Sequence, residues 1–172
     1  MKISIFGLGY VGCVTAACLA KDGHEVIGVD VVPSKVNNLA NGKATVVETG
    51  LDELIAEGHR EKRITATTNG RQAVLDTDAS IVCVGTPTGS DGQMDLTALR
   101  ATIEFIGRAM RAKMDRHVVI MRSTVPAGTA ETIVLPLLNP HMPPAALFAD
   151  SNLIVVPEFL RESSAIADYY DP

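Results

Sequence analysis

The chain has 172 residues, 47% of them hydrophobic and 20% charged, which suits one globular domain with a sizeable core. Its net charge of −5, with no basic run, makes nucleic acid and anionic membrane surfaces poor partners, although a helix N-terminus can still bind phosphate without side-chain charge. No apolar run reaches the ~20 residues of a membrane span, and Met1-Lys2 lead straight into a short strand that breaks at Gly7, so neither a span nor a signal peptide is expected.

Lys2–Phe6 is a short apolar run with a glycine stop, the pattern of a buried parallel strand. Tyr10–Lys21, rich in Ala, Val and Leu, follows as a helix closed by Asp22-Gly23. Glu25–Val29 is the second strand, with Asp30 at its C-terminal end. Ser34 is placed to cap a helix over Lys35–Ala40, and Leu51–Gly58 forms another. Ile64–Thr67 is a third strand, Arg71–Leu75 a helical turn, and Ala79–Val84 a fourth strand ending in Gly85-Thr86-Pro87. After a turn over Gly89–Gln93, Asp95 caps a long helix through Met114, whose apolar residues Leu96, Leu99, Ile103, Ile106 and Met110 mark one face. His117–Met121 is the fifth strand, Gly128–Leu138 a helix, Asn139–Pro144 a proline-rich break, and Leu153–Val156 the sixth strand. Alternating strands and helices with right-handed crossovers predict an α/β fold, an open, doubly wound parallel sheet (Rossmann fold) of about six strands in the order 3-2-1-4-5-6.

Gly7-Leu8-Gly9-Tyr10-Val11-Gly12 matches G-x-G-x-x-G. Its context gives the motif weight, because it follows a strand, opens a helix and precedes an acidic residue at the next strand's end. Gly7 permits the tight turn, Gly9 lets a pyrophosphate approach the backbone, and Gly12 allows close helix–strand packing. The free N–H groups of the helix start then meet the phosphates. Asp30 would accept hydrogen bonds from the adenosine ribose and repel a 2′-phosphate, which selects NAD over NADP. Lys35 has two open readings, a ribose contact or a surface lysine.

Three further strand ends carry polar groups toward the crevice where open α/β sheets bind ligands: Thr86, Ser123-Thr124 and Glu158. The threonines read equally as turn hydroxyls, whereas a carboxylate such as Glu158 beside a hydride site can hold water or act as a base. Glu48 either shapes the site or lies on the surface. The four histidines form no constellation and read as structural or solvated. Cys13, Cys18 and Cys83 lack zinc spacing and read as small buried hydrophobes, so no metal is expected and a reducing, cytoplasmic setting is.

Phe6–Gly12, Gly23–Val26, Val29-Asp30, Val84–Pro87, Arg122–Pro126 and Pro157–Glu162 occur in this order, and together they resemble the N-terminal domain of the UDP-glucose/GDP-mannose 6-dehydrogenase family. The resemblance covers residues 1–172 as one NAD-binding domain, and implies a truncated chain without the family's central helical and C-terminal domains. Family members oxidise a sugar C6 alcohol to a carboxylate in two NAD-dependent steps, so the implied partner is a nucleotide sugar and the implied parent a homo-oligomer. Ser163 after Glu162, and the run from Ile3 to Val31, read like the GDP-mannose branch, which serves alginate-type polymers, with the UDP-glucose branch as the alternative. Other NAD-dependent hydroxyacid dehydrogenases and a non-catalytic NAD-binding module are further alternatives.

By this resemblance Tyr10, Val11, Asp30, Lys35, Thr86 and Thr124 contact NAD. Thr124 would also position a water or the reacting C6 group, and Glu158 would assist proton transfer or thioester hydrolysis. Glu158, Phe159, Leu160, Arg161 and Glu162 would line the sugar-nucleotide site, with Glu162 the foremost substrate contact. Val156 stands where the family usually has Asn, and Thr49 where it usually has Pro. The family's nucleophilic cysteine lies in a Gly-Gly-Ser-Cys segment absent from these residues, so the chain alone is expected not to turn over.

Overall fold

The computed structural model describes residues 1–141 and 152–171. Six parallel strands, β1 (Lys2–Phe6), β2 (Glu25–Val29), β3 (Ile64–Thr67), β4 (Ala79–Val82), β5 (Val118–Met121) and β6 (Leu153–Val155), form one sheet in the order β3-β2-β1-β4-β5-β6. The helices are α1 (Tyr10–Lys21), α2 (Pro33–Ala40), α3 (Leu51–Arg60), α4 (Gly70–Leu75), α5 (Thr97–Met110), α6 (Leu135–Leu138) and α7 (Ala165–Tyr170). The doubly wound Rossmann sheet and its strand order are those expected from the sequence.

Two apolar layers hold the sheet. Ile3, Ile5, Val26, Ile64 and Ile81 pack with α1 and α3 on one side. Phe6, Val82, Val119 and Met121 pack with α4, α5 and α6 on the other. The central strand β4 is buried at every position, as a strand covered on both faces must be. Each fully buried Leu or Ile contributes about 1.5–3 kcal/mol of transfer free energy. Helix α1 is buried almost all round, and its small residues Gly12, Ala16, Ala17 and Ala20 let it lie close to its neighbours.

Several boundaries differ from the expected ones for identifiable reasons. Helix α2 starts two residues earlier than Ser34 suggested: Pro33 takes the first position, and the capping residue is Val32, with no side-chain cap. Asn69 caps α4 by accepting from the Gln72 N–H, which draws Gly70 into the helix. Strand β4 stops at Val82 instead of Val84. Gly7 turns away on one side with a φ of 98°, and on the other the N–H groups of Arg122 and Ser123 both reach the Val82 carbonyl at 3.0 Å. Asp95 does cap locally, accepting from the Thr97 N–H at 2.9 Å, but α5 ends at Met110 and not Met114. Strand β5 begins at Val118, one residue after His117, β6 ends one residue before Val156, and α3 runs on past Gly58 to Arg60.

The helix expected over Gly128–Leu138 is wound as a π-helix at Ala130–Val134 before α6. Pro136 has no N–H to continue an α-helical ladder, and the Leu135 N–H reaches the Ala130 carbonyl instead. The proline-rich break opens as a 3₁₀ turn at Asn139–His141, and its remainder, including Pro143 and Pro144, lies outside the described residues. Helix α7 was not expected. It packs Ala165 into the same layer as α1.

Candidate functional site

Because all six strands are parallel, their C-terminal ends share one edge, and the loops that follow them meet there. The glycine turn sits at its centre. At Gly7 a Cβ would lie 2.7 Å from the Cys83 carbonyl oxygen, and at Gly12 only 1.9 Å from that of Gly7, so neither position has room for a side chain. At Gly9 a Cβ would meet nothing within 4 Å, which leaves the backbone open to an incoming group. Helix α1 starts here with no side-chain cap, so its first N–H groups face this opening.

Asp30 stands across from the turn with a nearly buried side chain. Its carboxylate accepts the Leu8 N–H at 2.7 Å and the Val32 N–H at 2.9 Å. Lys35 Nζ lies 3.7 Å away, so the lysine left open in the sequence turns toward this carboxylate. At the next two strand ends Thr86 donates its hydroxyl hydrogen to the Thr124 carbonyl at 2.7 Å, and Ser123 donates to the Val84 carbonyl at 2.7 Å. These bonds stitch the ends of β4 and β5 together and leave Thr124 exposed on the edge.

The segment after β6 folds back toward α1. Glu158 accepts from the Leu160 N–H at 2.7 Å, which turns the chain. Phe159 is 78% exposed, and Glu162 is also exposed. Arg161 is fixed by Asp168, whose carboxylate accepts from the Arg161 N–H at 2.9 Å and from its guanidinium at 2.7 Å and 3.2 Å. Those bonds hold the Asp168 carboxyl below the usual carboxylate range. Tyr10, the first residue of α1, donates its phenol to Glu48, and the Arg161 carbonyl lies 3.3 Å from the same oxygen. Burial and the Glu48 hydrogen bond push the Tyr10 phenol up to about 12. The structure thus brings Tyr10 and Arg161 together and places Glu48, open in the sequence, in the interior beside them.

Sequence reasoning missed Asp168 and Tyr169, and gave Arg122 no role beyond its place in the Arg122–Pro126 motif. The Arg122 guanidinium lies 5.6 Å from the Tyr169 ring centroid, and its Nε has no hydrogen-bond partner among the described residues. No local motif announces these partners. Cys13, Cys18 and Cys83 are buried free thiols, and burial pushes Cys18 up to about 11 and Cys83 up to about 12. Burial thus disfavours the thiolate form of all three. Among the described residues no group of His, Cys, Asp or Glu could hold a metal ion, and no helix is long and apolar enough to cross a membrane.

A family model described as the UDP-glucose/GDP-mannose dehydrogenase family, NAD binding domain, matches residues 1–172. The GDP-mannose 6-dehydrogenase of Azotobacter vinelandii is 47% identical over 172 residues, which are 100% of this chain and 39% of that protein. The UDP-glucose 6-dehydrogenase AglM of Haloferax volcanii is 36% identical, again over 100% of this chain and 39% of its own length. The crystal structure of a ternary complex of GDP-mannose dehydrogenase from Pseudomonas aeruginosa superposes with a TM-score of 0.91 at 47% identity, covering 98% of this chain and 38% of that one. The chain therefore spans about two fifths of the length of the curated relatives it matches.

Proposed function

Since the chain belongs to the UDP-glucose/GDP-mannose dehydrogenase family as its NAD-binding domain, we propose that it holds the coenzyme by its pyrophosphate at the start of α1 and by its adenine ribose at Asp30. The observation that carries this reading is the open backbone at Gly9, beside an uncapped helix start and across from a nearly buried carboxylate. The first N–H groups of α1, with Val11 among its opening residues, would donate to the phosphate oxygens. Asp30 already holds two backbone N–H groups, so its carboxylate is fixed in place before the ribose arrives, with Lys35 beside it. Thr86 and Thr124 would meet the nicotinamide half at the ends of β4 and β5. Held there, a nicotinamide coenzyme would supply the hydride acceptor for an oxidation.

The proposed substrate is a nucleotide sugar oxidised at C6 from alcohol to carboxylate, with GDP-mannose favoured by the 47% identity to GDP-mannose 6-dehydrogenases and UDP-glucose second at 36%. Residues 158–162 would line the sugar-nucleotide side, Glu162 contacting the substrate, Glu158 assisting proton transfer or hydrolysis, and Thr124 positioning water or the C6 group. The family's chemistry also needs a nucleophilic thiolate, a role that burial disfavours for the three cysteines of this domain. Three free cysteines also support a reducing, cytoplasmic setting. Titration calorimetry with NAD and NADP tests the cofactor reading: NAD binds more tightly, and equal affinity for the two refutes the assignment of Asp30.

A further inference from the structure

Glu48 is separated by 115 residues from one of its partners and by 38 from the other, yet it is buried and bonded to both. Its Oε2 accepts the Tyr10 phenol and the Ser163 N–H, the latter at 2.8 Å. Tyr10 opens the helix that follows the glycine turn, and Ser163 directly follows the segment 158–162. Ser163 has a φ of 71°, a left-handed conformation that a non-glycine residue adopts only when its surroundings hold it there. Its N–H donates to the buried Glu48 carboxylate. Removing that carboxylate would leave the Ser163 N–H without its acceptor and the Tyr10 phenol free to swing to the Arg161 carbonyl, 3.3 Å away.

We infer that Glu48 is a positioning residue, whose buried carboxylate clamps the left-handed turn at Ser163 to Tyr10 and so fixes residues 158–162 beside the glycine turn. This rests on the proposed role of 158–162 as the nucleotide-sugar side of the site. One carboxylate then sets the distance between the coenzyme's helix and the substrate's loop. Neither of its partners needs to be a reacting group for the geometry of both to depend on it.

Arg161 is the natural reporter, because its backbone follows the clamp and trypsin cleaves after arginine. Limited trypsin digestion of the 172-residue chain, read by mass spectrometry, compares the wild type with Glu48→Ala, Glu48→Gln and Glu48→Ala combined with Ser163→Gly. Loss of the clamp speeds cleavage after Arg161 by about tenfold, the size expected when a buried hydrogen-bonded group loses its partner. Glu48→Gln keeps an acceptor and stays within roughly threefold of wild type. Glycine adopts a positive φ without strain, so Ser163→Gly recovers part of the protection in the Glu48→Ala background. A general loss of stability would instead expose the other Lys and Arg sites in parallel and would not be repaired by one glycine. Unchanged cleavage after Arg161 in Glu48→Ala, or no repair by Ser163→Gly, overturns the inference. GDP-mannose added to the wild type tests the underlying reading separately: slower cleavage after Arg161 supports the substrate role of 158–162, and no slowing removes that role while the clamp is judged on the variants alone.

Discussion

Replacing Asp30 by Asn separates the charge of this side chain from its place in the fold. The carboxylate accepts two backbone N–H groups, from Leu8 at 2.7 Å and Val32 at 2.9 Å. Asparagine retains one carbonyl oxygen, enough for the more buried Leu8 N–H, while the Val32 N–H can turn to water. The ion pair with Lys35 at 3.7 Å, whose side chain is 37% exposed, contributes only about 0.2–1 kcal/mol. The fold should therefore lose on the order of 1 kcal/mol and remain intact. The ligand loses more. A hydrogen bond to a charged acceptor contributes about 1.5–3 kcal/mol and to a neutral one about 0.5–1.5, so the difference of about 1–1.5 kcal/mol weakens NAD by roughly tenfold. NADP moves the other way, because its 2′-phosphate no longer meets an anion and finds Lys35 uncompensated. Calorimetric titration of both coenzymes at fixed ionic strength, with thermal melts on the same samples, should show the NAD-to-NADP preference reduced by about tenfold or more. Asp30→Ala adds an orphaned Leu8 N–H, which costs about 1–3 kcal/mol and lowers the melting temperature by roughly 2–12 °C for a chain of this size. An unchanged coenzyme preference in well-folded Asp30→Asn would refute the reasoning.

Two further outcomes are expected. Gly12→Ala places a Cβ 1.9 Å from the Gly7 carbonyl oxygen, which forces α1 off the glycine turn; thermal melts should show a loss of about 1–3 kcal/mol or more together with loss of NAD binding, and a wild-type melt would show the packing to be looser than described. His117 is buried, and burial followed by the nearby Lys113 charge lowers its pKa to about 4 from an ordinary 6.5. The unfolded chain takes up that proton first as the pH falls, so stability present at pH 7 is lost between about 6.5 and 4 and not further below, amounting to a few kcal/mol. Urea midpoints across this range test it, with a His117→Gln variant expected to flatten the slope; a slope unchanged in that variant would locate the acid sensitivity elsewhere.

The parts of the molecule written in short segments were legible. Strand β1, helix α1, strand β2 and strand β3 fall where apolar runs and glycine stops place them. The roles of Gly7 and Gly12 follow from contacts a few residues away along the chain, or on the adjoining strand. What the sequence left open depends on pairs separated by long stretches of chain. Glu48 could be assigned to surface or site only once Tyr10 and Ser163 were seen to converge on it. Arg161 read as a ligand contact, yet its guanidinium is engaged by Asp168, which no spacing rule singles out. Helix α7 was missed because its six residues carry little periodicity of their own; docking on α1 stabilises it, and Tyr170 reaches back to the Cys18 carbonyl at 3.3 Å. Pro136 lies within the span expected as one helix, and its missing N–H leaves no bond to continue the α-helical ladder.

The far end of the sheet bears on the site as well. Ser4 and Ser80 face each other across β1 and β4 with their hydroxyls 2.8 Å apart, Thr77 donates to Ser4, and Ser80 pairs with His117 Nε2 at 2.8 Å just before β5. Sliding β4 by one residue would set Ser4 opposite Ala79 or Ile81 and strand these polar groups in an apolar layer, each at about 1–3 kcal/mol. The seam therefore acts as a key that admits a single alignment of the three central strands. Since each strand has a fixed rise per residue, locking them at one end levels them at the other, where Gly7, Thr86 and Thr124 would need matching heights to hold the proposed coenzyme.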